Sequence, residues 1–345
     1  MMTRKGPTTW RWQRLRPGLG SVLAALVVGG AAAGEQHEPA TISGFVRAAD
    51  FRSVEGATVR VIGGAEAATV DADGRFTVRP GATGGAGGGL EIELEGYYRS
   101  SVRLEPGEGT APAVVLVPRA WTITAGRYAG QVVPIDLEGA TGAACGDCGA
   151  FYGSVLGDER STLPPGIPAW PPTAFPLEVA FDRENGALVS ARDSIAFWQI
   201  VRTMEEHFGL RLFRPAALPT VLANVSNDGP GSLLVLIDPR LLSTGWGSSV
   251  SQSGDILAGA VHFRHARTFS SSDGAAIVAH EIFHALGFGH TCRWRSVVAD
   301  VKRCRGNQAP APTASDVAHA QLLWRIRELE RGARISTTVA AALRD

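Results

Sequence analysis

The run Ala279-His280-Glu281-Ile282-Phe283-His284-Ala285-Leu286-Gly287-Phe288-Gly289-His290 constrains this chain more than any other segment. It reads H-E-x-x-H-x-x-G-x-x-H. His280 and His284 stand four apart, so on an α-helix their rings leave the same face. That pitch lets both imidazoles reach one ion at about 2.0–2.1 Å. Glu281 neighbours His280 and leans towards the open side of such an ion, where a carboxylate can accept a proton from water. Gly287 is where the helix should stop, since glycine readily takes the left-handed C-terminal conformation. The chain then turns back and offers His290 as a third ligand. Three protein ligands plus water is the catalytic arrangement of zinc, not the closed structural one. The expectation is Zn2+ on His280, His284 and His290, with Glu281 as general base.

The helix has support outside the motif. Ser271, Ser272 and Asp273 offer N-cap oxygens, and Ala275 to Ala279 form an apolar first half. We expect a helix from Asp273 to Leu286. Before it, Phe175–Asp182, Leu210–Phe213, Leu233–Ile237 and Gly259–Arg264 read as strands. A helix over Ser190–His207 has apolar positions Ile195, Phe197, Trp198, Ile200, Val201 and Met204. A last helix spans Ser315–Arg331. Alternating strands and helices argue an α/β domain with a mostly parallel sheet over residues 175–345.

The motif and this element order resemble the metzincin clan of zinc metallopeptidases over Phe175 to Arg331. The resemblance implies a twisted mixed sheet with an active-site helix, His280, His284 and His290 as zinc ligands, and Glu281 as general base. It implies a protein or peptide substrate, and we expect internal cleavage because nothing in the sequence suggests a charged pocket for a chain terminus. It also implies that the strand around Gly259–Arg264 is the sheet edge on which an extended peptide lies. The sequence departs from the family pattern. No Met follows Met204, so the methionine turn beneath the metal is missing, and Val298 is the candidate apolar floor. All four tyrosines precede the motif, so a phenolic oxyanion stabiliser is missing too. These departures favour the alternative, a zinc-site binding protein that recognises its partner through the N-terminal module.

That module occupies residues 41–118. Ile42–Val46 and Ala57–Ile62 alternate apolar and polar residues, and Arg75–Val78, Leu90–Leu94 and Ala113–Val117 continue the pattern. Asp71-Ala72-Asp73-Gly74 reads as a hairpin turn rather than a calcium loop, because the twelve-residue spacing to a terminal Glu is absent. With no long helical period, an antiparallel sandwich is the natural packing. Gly44-Phe45-Val46, Val54 to Val59 and Thr69 to Phe76 resemble the carboxypeptidase regulatory-like sandwich, which implies an accessory module. Residues 119–174 read as a Gly/Pro-rich connector.

The N-terminus reads as a signal peptide over residues 1–33. A basic region ends at Arg16, an apolar stretch covers Leu19–Val28, and Ala31-Ala32-Ala33 offers a cleavage site. The apolar stretch is short for a membrane span. We expect export to periplasm or medium with no stable membrane insertion afterwards. The 345-residue chain has 33 basic and 33 acidic side chains, and losing Arg4, Lys5, Arg11, Arg14 and Arg16 leaves a net charge of about −5. No Lys/Arg-rich block remains, so composition excludes nucleic acid as a partner. Four cysteines in an exported chain read as disulfides. Cys292–Cys304 closes a short loop after the motif. Cys145-Gly146-Asp147-Cys148 reads as a disulfide, with a latency ligand for the metal as the rival. His262, His265 and His319 read as surface or packing residues.

Overall fold

The computed structural model describes residues 41–79, 89–104, 113–136, 169–181, 189–216, 231–252, 255–292, 295–299 and 308–342. The signal-peptide stretch, Cys145, Cys148, Trp294 and Cys304 lie outside them.

Seven short strands build the N-terminal module: β1 (Ile42–Ala48), β2 (Thr58–Val61), β3 (Ala67–Thr69), β4 (Arg75–Val78), β5 (Gly89–Glu93), β6 (Ser100–Arg103) and β7 (Val114–Leu116). They form two sheets, ordered β4-β1-β7 and β3-β2-β5-β6. Alternate residues turn inward, so Val46, Phe76 and Leu116 of one sheet share a core with Val59, Leu90 and Ile92 of the other. The arrangement is sandwich-like, with one correction. β1 pairs with β7 in parallel, so the first sheet is mixed rather than antiparallel. The expected turn is present. The Asp71 carboxylate accepts the N–H groups of Asp73 and Arg75 at 3.0 and 2.7 Å, and Gly74 has φ +81°.

Part of the expected connector is ordered. β8 (Ala120–Thr122) and β9 (Val132–Pro134) form a hairpin, and Trp121, Ala169 and Trp170 are buried in the larger core. Composition hid this, because strands of three residues leave no periodicity to read.

The second sheet system is a single five-stranded sheet. Its strands are β10 (Leu177–Phe181), β11 (Phe213–Pro215), β12 (Ser232–Ile237), β13 (Gly245–Gln252) and β14 (Asp255–Phe263), in the order β11-β10-β12-β14-β13. All pairings are parallel except β13 with β14. Leu233 to Ile237 are all buried, as a central parallel strand covered on both faces requires. The 259–264 segment is therefore not an edge. β14 is interior, and β13 takes the edge position. Gly245-Trp246-Gly247-Ser248-Ser249 carries few β-branched residues, which is why the strand was not legible beforehand.

Three helices complete the fold: α1 (Ala191–Phe208), α2 (Gly274–Ala285) and α3 (Ala314–Ala342). In α1 the Ser190 Oγ accepts the Asp193 N–H at 3.1 Å and donates to its carboxylate at 2.6 Å, a closed N-terminal cap. Phe197, Val201, Met204 and Phe208 recur at helical spacing and face the core, whereas Ile195 is exposed. Gly209 ends α1 at φ +67°, and the hairpin tip presses on it at Gly126. α2 starts without the expected side-chain cap: Asp273 stands at the N-cap with no side-chain bond to the first turn, and the Ser271 hydroxyl donates to Thr268 O at 2.8 Å. α3 extends beyond the expected Arg331. No helix among the described residues is long and apolar enough to cross a membrane.

Candidate metal centre

α2 carries His280, Glu281 and His284, and Gly287 at φ +103° reverses the chain as its position required. His290 thereby joins the other two. The three Nε2 atoms lie 3.0 Å (His280 to His284), 3.2 Å (His280 to His290) and 3.2 Å (His284 to His290) apart. Among the described residues this is the one cluster of His, Cys, Asp or Glu with metal-holding geometry.

The tautomers follow from the backbone. His280 Nδ1 faces Val297 O at 2.8 Å, and His284 Nδ1 faces Phe288 O at 2.7 Å. A carbonyl only accepts, so both Nδ1 atoms carry the proton. In the neutral rings both Nε2 atoms are then bare lone pairs aimed at one another. Such a pair attracts nothing by itself and calls for a cation between. Burial holds His284 neutral, lowering it to about 3, with the adjacent His280 acting in the same direction. The donor set suits zinc. Nitrogens at about 2.0–2.1 Å from one tetrahedral ion lie about 3.4 Å apart, close to the spacing here.

Glu281 is 7% exposed. Burial pushes its carboxyl up to about 8, opposed by the Gly247 N–H that donates to it. A cation held by the triad would pull it down again. The donor belongs to β13, which crosses α2 at very short range. A Cβ on Gly245 would stand 2.6 Å from Glu281 Oε1, and one on Gly247 would stand 2.9 Å from His284 Cβ. Only glycine lets the strand pass, so Gly245 and Gly247 are part of the site's construction. Sequence reading missed both. The Gly-x-Gly spacing was the available signal, since it puts two bare positions on one strand face.

Support for His280 comes from behind the triad. Asp316, in the first turn of α3, is fully buried and accepts from Ser296 Oγ at 2.5 Å, Val297 N at 3.2 Å, and Thr313 N and Oγ1 at 2.9 Å each. It fixes the turn whose Val297 carbonyl orients His280. Val298, the expected floor, is fully buried, next to the Val297 whose carbonyl accepts from His280. Burial raises the Asp316 carboxyl, against the pull of these four donors. Thr313-x-x-Asp316 has capping-box spacing, which was the legible trace of this arrangement. Trp170 adds a second brace, its Nε1 donating to Ala285 O at 3.0 Å.

The other histidines stay apart from the triad. His262 lies against Trp246, 4.9 Å between centroids with the rings tilted at 46°, His265 precedes a short 3-10 turn, and His319 binds the hairpin end. Cys292 is disulfide-bonded, to a cysteine outside the described residues.

No protein-family model matches this sequence, and no curated protein matches it. Solved structures with partial likeness include two cohesin–X-dockerin complexes of type II from Acetivibrio cellulolyticus. The N-terminal interface mutant matches 23% of this chain at 17% identity and TM-score 0.20. The C-terminal interface mutant matches 22% at 21% identity and TM-score 0.17. The chain spans 57% and 51% of those two chains. Likenesses of this size leave the function to the site.

Proposed function

We propose that this chain is an exported zinc-dependent endopeptidase. One observation carries the reading: three imidazole Nε2 atoms meet within 3.2 Å, two of them as forced lone pairs, with Glu281 on the same helix. Zinc bound there would supply Lewis acidity and lower the pKa of a coordinated water. Glu281 is placed to take the proton of the attacking water and return it to the leaving amine. The Gly247 N–H keeps that carboxylate in one position, so little reorganisation accompanies the transfer. β13 crosses directly over Glu281 and His284, and no described strand pairs with its outer side. An extended peptide can hydrogen-bond along such an edge, bringing a scissile carbonyl beside the triad. Bond hydrolysis within a chain suits an edge open along its length.

The test is digestion of a denatured-protein peptide mixture by zinc-loaded protein, read by mass spectrometry beside Glu281→Gln. New internal cuts that vanish in the variant support the peptidase. Zinc-loaded protein that makes no cuts overturns it and leaves the zinc-site binding protein.

A further inference from the structure

β13 is an edge strand without the usual protection. Its sequence, Gly245-Trp246-Gly247-Ser248-Ser249-Val250-Ser251-Gln252, carries no charge and no proline. Native edges are blunted by lysine, proline or a bulge, because a bare edge invites another strand. Here the pairing with β14 is regular from Gly245 to Val250, and the one irregularity follows Val250.

The two faces of this edge differ. Positions 245 and 247 face α2, since a Cβ at either would meet Glu281 or His284. Alternation turns Trp246 to the opposite face. It is the largest side chain of the strand, and it is 52% exposed. The register sets His262 beside it and Leu236 beyond His262, one row across three strands. Leu236 is buried and His262 half-buried, so the row meets water at the indole. Burial lowers the pKa of His262, opposed by Asp238, which leaves the ring behind the indole uncharged near pH 7.

We propose that Trp246 is a specificity-determining residue that selects an aromatic side chain in the peptide bound along β13. The inference rests on β13 as the peptide-binding edge and adds what the peptide must carry. A strand laid outside β13 puts one residue directly opposite Trp246, with its side chain on the same face. An aromatic ring there lengthens the row and covers the exposed indole. The peptide residues on either side of it point towards α2 and the triad. Trp246 lies between the two glycines that pass over Glu281 and His284, so the aromatic residue falls within about two residues of the cut bond.

Two readouts on zinc-loaded protein test this. A random-sequence peptide library is digested by the wild type, and the same library is captured on immobilised Glu281→Gln. Phe, Tyr or Trp should be enriched about fivefold at one position relative to the cut, and among the captured peptides. Trp246→Phe should keep the enrichment and Trp246→Ala should lose it, with zinc content unchanged. Leu242→Ala removes an exposed apolar side chain that precedes the strand and should leave the pattern as it was. Cleavage with no aromatic position, or with one that Trp246→Ala retains, overturns this inference and leaves the endopeptidase standing. Aromatic capture without cleavage upholds it and overturns the endopeptidase. Enrichment of Lys or Arg in place of aromatic residues overturns it, and the absence of both cleavage and capture overturns the two together.

Discussion

Asp316 controls His280 through the backbone of one residue, Val297. Its carboxylate takes the Val297 N–H at 3.2 Å, and the Val297 carbonyl takes His280 Nδ1 at 2.8 Å. The imidazole's direction is thus set from α3, thirty-six positions along the chain.

Asp316→Asn exchanges an acceptor for a donor that faces Ser296, Val297 and Thr313 donors. The turn must shift, and His280 with it. Zinc affinity should fall roughly 10–100-fold, as for other outer-shell partners of metal-binding histidines. A competition titration with a chromophoric chelator measures it. Unchanged affinity would show that the turn holds its place without Asp316.

Gly245→Ala puts a methyl 2.6 Å from Glu281 Oε1, so the carboxylate has to move. Overpacking of this kind costs about 1–3 kcal/mol. Cleavage should drop while zinc content stays at one per chain, because the three nitrogens are not touched directly. Peptide turnover and metal analysis on the same preparation separate the two. Gly247→Ala meets helix backbone and should additionally lower the melting temperature.

His319 gives the protein an acid limit. Its Nδ1 donates to Ser315 O at 2.7 Å, and its Nε2 accepts the Asp136 N–H at 3.1 Å, so both nitrogens are committed in the neutral form. Burial lowers it from 6.5 to about 4, opposed by the Ser315 carbonyl. The unfolded chain binds the proton first. The stabilisation is therefore complete above pH 6.5 and is lost as pH falls towards 4, by about 3 kcal/mol in all. Urea midpoints of wild type and His319→Gln at pH 7 and pH 4.5 measure this. The wild type should lose more stability between them; parallel losses would sink the assignment.

Metal removal should destabilise the fold, since only the native chain assembles the triad. Zinc at a hundredfold excess over its dissociation constant would add about 2.7 kcal/mol. Calorimetric scans with and without a chelator read the difference, and Glu281→Gln should retain it while losing turnover.

The triad, Glu281 and the helix that carries them were legible because metal ligation and helix pitch both write fixed spacings into sequence. Gly287 was legible for a similar reason, since a positive φ leaves a residue signature. The edge strand was not. Gly245 and Gly247 are bare because α2 lies beneath them, and with Ser248 and Ser249 they imitate a loop. Asp316 was half legible: its capping spacing could be seen, but not the turn at Ser296–Val297 that it grips across space. The parallel β1–β7 pairing left no trace, because alternation is the same in either direction.

α3 bears on every part of the molecule described here. Asp316 steadies the turn behind the triad, Gln321 Oε1 takes Trp121 Nε1 at 3.3 Å and Thr124 N at 3.0 Å, and Arg325 lies against Phe51 of the sandwich. The accessory module is consequently a poor candidate for exchange. A foreign sandwich grafted at its boundary would have to match a helix surface that also shapes the metal ligands, so recombination at that junction should be tolerated only when the helix travels with it.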